Sequence, residues 1–460
     1  MNMVDHYWAQ FLSHEAYLPG NKAPRLHQTR RDALHRFTEA GFPASRQGTW
    51  KYTPADTITR HLYKLWDEKP RDGGPRLAET EPGDLSDLYL SGVDSHCLVF
   101  LDGRYVERLS RPSRLPEGVI AISLADKANA SPETLEEHID RLVASADPRA
   151  GFAALNGAFW SDGAFIHLAP GAVPDVPIHL LFLSTLPDEK IIIHPRVLIM
   201  AEEGSALQVI EHFASTPGAN CFTNAVTEIS LGANASLEHC KIQDEAESVF
   251  HVAMLQAHQA RDSRFASHSV SVGGRITRND INAVIGAEGG ECLLDGLYMA
   301  AGRQHVDYRT RIEHVAPHGI SRERYKGVLA GKAHGVFNGS VHVHPDAQHT
   351  DARQRNENLL LSPDAQVDTE PQLDIFADDV QCAHGATVGQ LDKNMLFYLR
   401  ARGISADMAL SMLAYGFIDE ILDLAPIEAI EQTLGRIALA KLPNAGMEGQ
   451  MRELATFPMD

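Results

Sequence analysis

The chain has 460 residues, of which 44% are hydrophobic and 22% charged. That balance belongs to a soluble globular protein with enough chain for one large core or two to three ordinary domains. A formal net charge of −20 argues against nucleic acid or an anionic membrane as a partner, because both attract a positive surface.

No run approaches the roughly 18 consecutive apolar residues of a membrane-spanning helix. The N-terminus, Met1-Asn-Met-Val-Asp-His-Tyr-Trp8, has no basic leader followed by an apolar stretch, so a cytoplasmic location is the default expectation. The five cysteines (Cys97, Cys221, Cys240, Cys292 and Cys382) are widely spaced and never form CxxC. Neither a disulfide framework nor a closed zinc site is expected, and the ordinary fate of each is that of a small buried residue.

In chain order, residues 1–155 read as a mostly helical region with a short β-hairpin. Arg31 to Ala40 places Leu34 and Phe37 three apart, and Gly41 can end that helix. Leu98 to Val106 reads as a hairpin turning on Asp102-Gly103. Ser131-Pro132-Glu133 reads as a helix start, with Ser131 as N-cap and Pro132 in the first position.

Residues 156–391 change character. Short runs of Val, Ile and Leu alternate with turn residues at Glu203-Gly204-Ser205, Gly232-Ala233-Asn234, Gly286 to Gly289 and Gly331-Lys332-Ala333, each followed by an alternating strand. Such repetition suits a solenoid or a large sandwich, and the loose period leaves both open. Residues 392–460 read as helical. Asp392 caps Lys393 to Arg402, with Gly403 as the stop. Ser405 caps a helix from Ala406 to about Leu424, with Met408, Met412, Tyr415 and Ile418 on its apolar face. Pro426 breaks it, and a third helix follows through Leu442.

The candidate chemistry is sparse. Gly327-Val-Leu-Ala-Gly-Lys-Ala333 resembles a phosphate loop, but it is one residue short between its glycines and lacks the Ser or Thr after Lys332. A strand followed by a solenoid corner is the better reading. His342, His344 and His349 invite a metal, without a third ligand settled by spacing. Asp307, Arg309 and Arg311 alternate with Val306, Tyr308, Thr310 and Ile312, as in a strand whose charged side is solvated or faces another domain. Asp378 and Asp379, as neighbours on a strand, would point to opposite faces and cannot flank one glycosidic bond. Cys382 and His384 share a face, so both can reach one metal or one partner. The residues alone leave a structural pair and a ligand pair both open.

The surrounding block decides more. Asn358-Leu-Leu-Leu-Ser362 and Asp368-Thr-Glu-Pro-Gln-Leu-Asp-Ile-Phe-Ala-Asp-Asp-Val-Gln-Cys-Ala-His384 through Asp392 resemble the signature of the SufB/SufD family, on its SufD side. That family serves the SUF system of iron–sulfur cluster assembly. Gly48-Thr-Trp-Lys-Tyr-Thr53, Gly335-Val-Phe-Asn-Gly-Ser-Val341 and Leu396 to Ser405 agree with it. SufB carries a cysteine where this chain has Ser362-Pro-Asp-Ala365. The family usually has Ser where Ala383 stands, between the cysteine and the histidine.

The resemblance implies a mainly β fold: a right-handed parallel β-helix core flanked by N-terminal and C-terminal helical regions. It implies a non-catalytic scaffold subunit that forms the cluster-assembly interface with a SufB-like subunit through His384 and Cys382, His384 serving as a transient metal ligand shared with that partner. A SufC-like ABC ATPase would hydrolyse ATP and dock around Leu396, Phe397, Tyr398, Arg400, Arg402 and Gly403. The isolated chain is expected to hold no tight cofactor, and whether it forms a homodimer is left open. In the complex a nascent Fe–S cluster is shared with the SufB-like partner, and the binding of a reduced flavin there is left open.

Overall fold

The protein is described by a computed structural model covering residues 3–44, 48–65, 88–90, 93–146, 150–187, 190–425 and 428–442. From Pro195 the chain winds in turns of roughly 30 residues, and each turn gives one strand to each of two walls. Pro195–Ala201, Phe222–Leu231, Phe250–Gln259, Ile276–Ile285, His305–His314, His334–Val343 and Gln366–Ile375 stack in the first wall. Ala206–Ser215, Ser236–Asp244, Arg264–Ser271, Glu291–Ala300, Ile320–Leu329, Asp351–Leu360 and Gln381–Gly389 stack in the second. Consecutive strands therefore lie in opposite walls, and sheet neighbours are one full turn apart. This is a parallel β-solenoid, and it decides between the two architectures that repetition left open.

The pairing is parallel and in register, as in Phe222 against Phe250, Phe250 against Ile276 and Ile276 against His305. Period-2 alternation then sends the same column of every turn into the lumen. In His305–His314, Val306, Tyr308, Thr310 and Ile312 are buried while Arg309 and Arg311 lie on the outer face. Large and small residues interlock down the lumen. A Cβ on Gly296 would lie 2.2 Å from the Tyr325 ring, and one on Gly327 would lie 2.3 Å from the Tyr298 ring. Gly327 to Ala333 is the end of a strand and a corner, as the pattern indicated. At that corner Gly331 has φ +67°, and a Cβ would sit 2.9 Å from the Gly302 nitrogen one turn below; both facts demand glycine.

The first turns are built differently. His96–Leu101 joins the second wall beside Ile178–Ser184, and Val119–Ser123 runs antiparallel to Asp162–Leu168 in the first. Asp102 and Gly103 both take positive φ, 50° and 80°, closing the expected two-residue hairpin. Phe100, Phe182 and Phe213 stack at 4.8 Å steps in this part of the lumen.

The helix Pro24–Ala40 ends at Gly41 as expected. Ser131 behaves otherwise: it closes the helix Leu124–Ala130 and accepts from Lys127 Nζ, while Pro132 holds the N-cap position of Glu133–His138. The hydroxyl that caps here is Ser123, bonded to the Asp126 amide. The N-terminal helices bury Tyr7, Phe11, Leu34, Phe37 and Phe159 against Phe222, Phe250 and Ile276 on the outer face of the first wall.

From this cluster Gly48–Thr53 runs as a strap over the same face. Arg278 lies over the Trp50 ring at 4.1 Å and donates to the Thr49 carbonyl, and Arg309 donates to the same oxygen at 3.4 Å. Thr53 bonds His305 and Asp307, and Lys51 and Tyr52 both bond Glu370 on the last strand of the wall. The charged side of the arginine strand is thus a face toward another part of the chain.

At the other end Asp392 and Ser405 cap Lys393–Ala401 and Ala406–Leu422 through the amides of Asn394 and Met408. Met408 and Ile418 are buried, with Met412 and Tyr415 half-buried. Ala406–Leu422 and Glu428–Lys441 pack on the outer face of the second wall, against Ile242, Val270, Leu297 and Val328. Pro426 lies outside the described residues. Among the described residues no helix is long and apolar enough to cross a membrane.

One buried carboxylate ties the N-terminal helices to the solenoid. Glu228 accepts from the amides of Asp140, Leu142 and Val143 and from the Arg196 guanidinium, with no exposure on either side of that ion pair. Removing one partner strands the other charge. Glu228→Ala is therefore expected to cost about 3–5 kcal/mol in denaturant unfolding, and a loss below about 1 kcal/mol would contradict this account.

Candidate functional site at the open end of the solenoid

The last turn has nothing stacked on it among the described residues. Gln366–Ile375 and Gln381–Gly389 are the terminal strands of the two sheets, so each has one hydrogen-bonding edge free. Lumen-facing positions that are buried in every earlier turn are open here. Tyr325 and Asn356 are buried, yet Ala386 in the same column is exposed; Gly327 and Asn358 are followed by Val388, 49% exposed.

Cys382 and His384 lie on this terminal strand, two apart on its inner face. Cys382 is half-buried against Val341, Val343, Ala347, Ala352 and Ala377. Burial pushes its thiol up, outweighing the lowering effect of the Ala352 backbone, so the neutral thiol is the resting form. His384 is exposed at the mouth of the lumen. The two residues can meet one group arriving along the solenoid axis. Among the described residues no group of three or more His, Cys, Asp or Glu is placed to hold a metal ion.

The other candidates separate. The rings of His342 and His344 meet at 4.6 Å, with His344 3.5 Å from Glu313. His349 sits at a corner instead, stacked on His318 at 4.8 Å and 3.0 Å from Asp379. Asp378 and Asp379 occupy a bend between strands rather than a strand. Arg309 and Arg311 line a cleft of about 560 Å³ between the strap, the helices and the first wall, together with Trp50, Phe152 and Met254.

Of the residues expected to meet an ATPase, Leu396, Phe397, Tyr398 and Arg400 lie on Lys393–Ala401, a helix that buries none of its residues. Phe397 is 74% and Tyr398 57% exposed, and Arg402 lies 3.3 Å over the Tyr398 ring. Gly403, at φ +89°, ends the helix by donating to the Arg400 carbonyl. Phe397 and Tyr398 are thus exposed aromatics on the helix that follows the terminal strand.

The chain is a parallel β-solenoid whose open end carries a thiol, an imidazole and two free sheet edges. Residues 184–417 match the SUF system FeS cluster assembly SufBD core domain, and residues 1–180 match the SufBD protein N-terminal region. The chain belongs to the SufBD family of iron–sulfur cluster assembly proteins. It is 32% identical to the iron–sulfur cluster assembly protein SufD of Escherichia coli, over 88% of this chain and 90% of that one. It is 30% identical to a SufBD family protein of Synechocystis, over 92% and 93%, and 31% identical to the chloroplast protein ABCI7 of Arabidopsis thaliana, over 71% and 70%.

Reading the residues in isolation missed the polar side chains inside the lumen. Midway along it, Lys241 bonds Asn279 and His251, Glu211 bonds Thr227, and His251 lies 2.7 Å from Glu245. Burial brings Lys241 down to about 8, against the pull of Glu211 and Glu245. Nearer the open end Glu323 is wholly buried, and burial pushes its carboxyl up to about 7, against its bond from Gln354. The one sequence signal for these is a charged or amide residue at an inward position of a regular alternation.

The raised Glu323 value has a sign that can be tested. Its proton is retained in the folded chain while the unfolded chain has already lost it, so its contribution to stability is full below about pH 4.5 and is lost as pH rises to about 7. Glu323→Gln should abolish a decline of about 3 kcal/mol across that window. Parallel denaturation curves of both proteins at pH 5 and pH 8 measure it, and equal declines in the two would refute the assignment.

Proposed function

We propose that this chain is a non-catalytic scaffold subunit, which forms a cluster-assembly interface with a SufB-like subunit along its open end and docks a SufC-like ABC ATPase on its exposed C-terminal helix. The observation that carries this is the terminal strand Gln381–Gly389, with a free edge and with Cys382 and His384 at the mouth of the lumen.

The free edges suit a second solenoid end, since a strand edge is satisfied by another strand. In isolation a second copy of this chain would fill the same role. A nascent iron–sulfur cluster needs about four thiolate or imidazole ligands. His384 and Cys382 offer two, so the remaining ligands would come from the partner. His384 acts as a neutral imidazole ligand, and Cys382 must give up its proton as a metal arrives.

The exposed Phe397 and Tyr398, with Arg402 over the ring, have the composition of an interface hot spot. The chain is proposed to work in the cytoplasm.

Two measurements test this reading. Co-expression with a SufB-like and a SufC-like protein should yield one complex, from which Phe397→Asp removes the ATPase by weakening its binding roughly 30-fold or more; undiminished recovery would overturn that contact. In the same complex His384→Ala should leave assembly intact and lower anaerobic cluster formation, read from visible absorption, by roughly tenfold or more. A normal cluster yield would rule out the ligand role.

A further inference from the structure

Between the strap, the helix Gly151–Phe159 and the outer face of the first wall lies the cleft of about 560 Å³ that Arg309 and Arg311 line. Its size is that of a small-molecule site, about 300–1,000 Å³. None of its lining residues belongs to the last turn, so it is separate from Cys382 and His384. One side is apolar: the rings of Trp50 and Phe152 lie 5.3 Å apart, and Met254 adds to it from the wall.

The floor is polar and laid out by the register of the wall. Gln256, Asn282 and Arg311 follow one another in one outward column, and Asp280 and Arg309 in the next. Neighbouring strands are about 4.8 Å apart, so Gln256 stands about 10 Å from the strand that carries both arginines.

Two groups of this floor have bonding capacity that the chain leaves unmet. Gln256 is 3% exposed, and its Oε1 is buried without a hydrogen-bond partner among the described residues. A buried acceptor in that state calls for a donor. Arg309 is half-buried and makes no ion pair among the described residues, and its bond to the Thr49 carbonyl is long, 3.4 Å. The carboxylates that attract it, Asp280 and Asp307, are both bonded to Arg278. Asp307 is bonded by Thr53 as well and does not line the cleft. Glu313 is taken by Arg311 at 2.8 Å. The lining thus sets the guanidiniums of Arg278, Arg309 and Arg311 against the carboxylates of Asp280 and Glu313. In a chain of net charge −20 this is a local excess of positive charge, and it rests on Arg309.

We infer that this cleft binds a small organic acid: a monocarboxylate on an aromatic body, with an O–H or N–H donor at the end far from the acid. The carboxylate pairs with the Arg309 guanidinium, whose planar fork matches two oxygens. The ring lies between the Trp50 and Phe152 side and Asn282 on the floor, and the donor meets Gln256 Oε1. A single excess charge suits a carboxylate better than a phosphate ester, which brings about −1.5 to −2 at neutral pH. The site stands apart from the assembly interface proposed above, and either can hold without the other.

Isothermal titration calorimetry of the full chain with para-hydroxycinnamate tests this. The probe is extended and flat, with a carboxylate at one end and a hydroxyl at the other. One molecule should bind per chain, with a dissociation constant below about 1 mM. Cinnamate, which lacks the donor, and para-ethylphenol, which lacks the acid, should each bind roughly tenfold more weakly. Arg309→Gln should erase the advantage over para-ethylphenol, and Gln256→Leu the advantage over cinnamate. Asn282→Trp, at a half-buried position in the middle of the floor, should block all three compounds and serves if either of the other variants does not fold. No binding at millimolar probe, or an affinity unchanged in Asn282→Trp, would overturn the site. Equal affinity of the unaltered chain for para-ethylphenol, or tighter binding of phenyl phosphate than of cinnamate, would overturn the carboxylate assigned to it.

Discussion

Every turn of the solenoid hands its backbone hydrogen bonds and its inward side chains to the next turn, in register, and the rest of the molecule follows from that dependence. A parallel stack has no way to finish itself. Its corners must pass close to one another, which is why Gly331 lies against Gly302. Its lumen must be filled column by column, which is why Gly296 and Gly327 give way to Tyr325 and Tyr298. Its two outer faces must be covered, and the N-terminal and C-terminal helices each cover one. What remains uncovered is the final turn, where the side chains of Cys382 and His384 emerge. The edge that would be an aggregation hazard in an ordinary sheet is here the surface proposed to meet a partner.

The same dependence explains what could be read from the residues. Corners were legible because Gly204, Asn234, Gly289 and Gly331 adopt positive φ, which few other residues tolerate. The caps at Asp392 and Ser405 were legible because each precedes a strongly periodic helix. The solenoid was not legible from repetition alone, since the turns differ in length; the resemblance supplied it. Ser131 misled because it stands between two short helices and serves the end of the first. The lumen column of Glu323 was hidden because Ile320–Leu329 has polar residues on both faces: Arg322, Arg324 and Lys326 outside, Ser321 and Glu323 inside. A binary pattern cannot choose between two polar faces. Asn358, which carried much of the motif, has a structural task as well: it accepts from the buried Tyr298 hydroxyl.

Place along the stack also separates the cysteines. Cys97, Cys221, Cys240 and Cys292 are buried, and burial raises each thiol. They are inert packing, as the sequence indicated. Cys382 has the same chemistry at a position where its neighbours run out. What sets Cys382 apart is its location at the end of the stack, where it is only half-buried.

The strap from Gly48 to Thr53 carries a consequence for biosynthesis. Lys51 and Glu370 are 319 residues apart in sequence. At about 5–20 residues per second, the ribosome needs roughly 15 to 60 s after making Lys51 before its partner exists. Through that interval the N-terminal segment has emerged while the strands it will cross are still being added one turn at a time. The solenoid can nucleate and grow from its early turns, and Thr49, Trp50 and Thr53 find their partners before the end, but Lys51 and Tyr52 meet Glu370 only when the last turn is in place. That contact is a latch that registers completion, and a chain cut short before Glu370 would emerge with its latch undone.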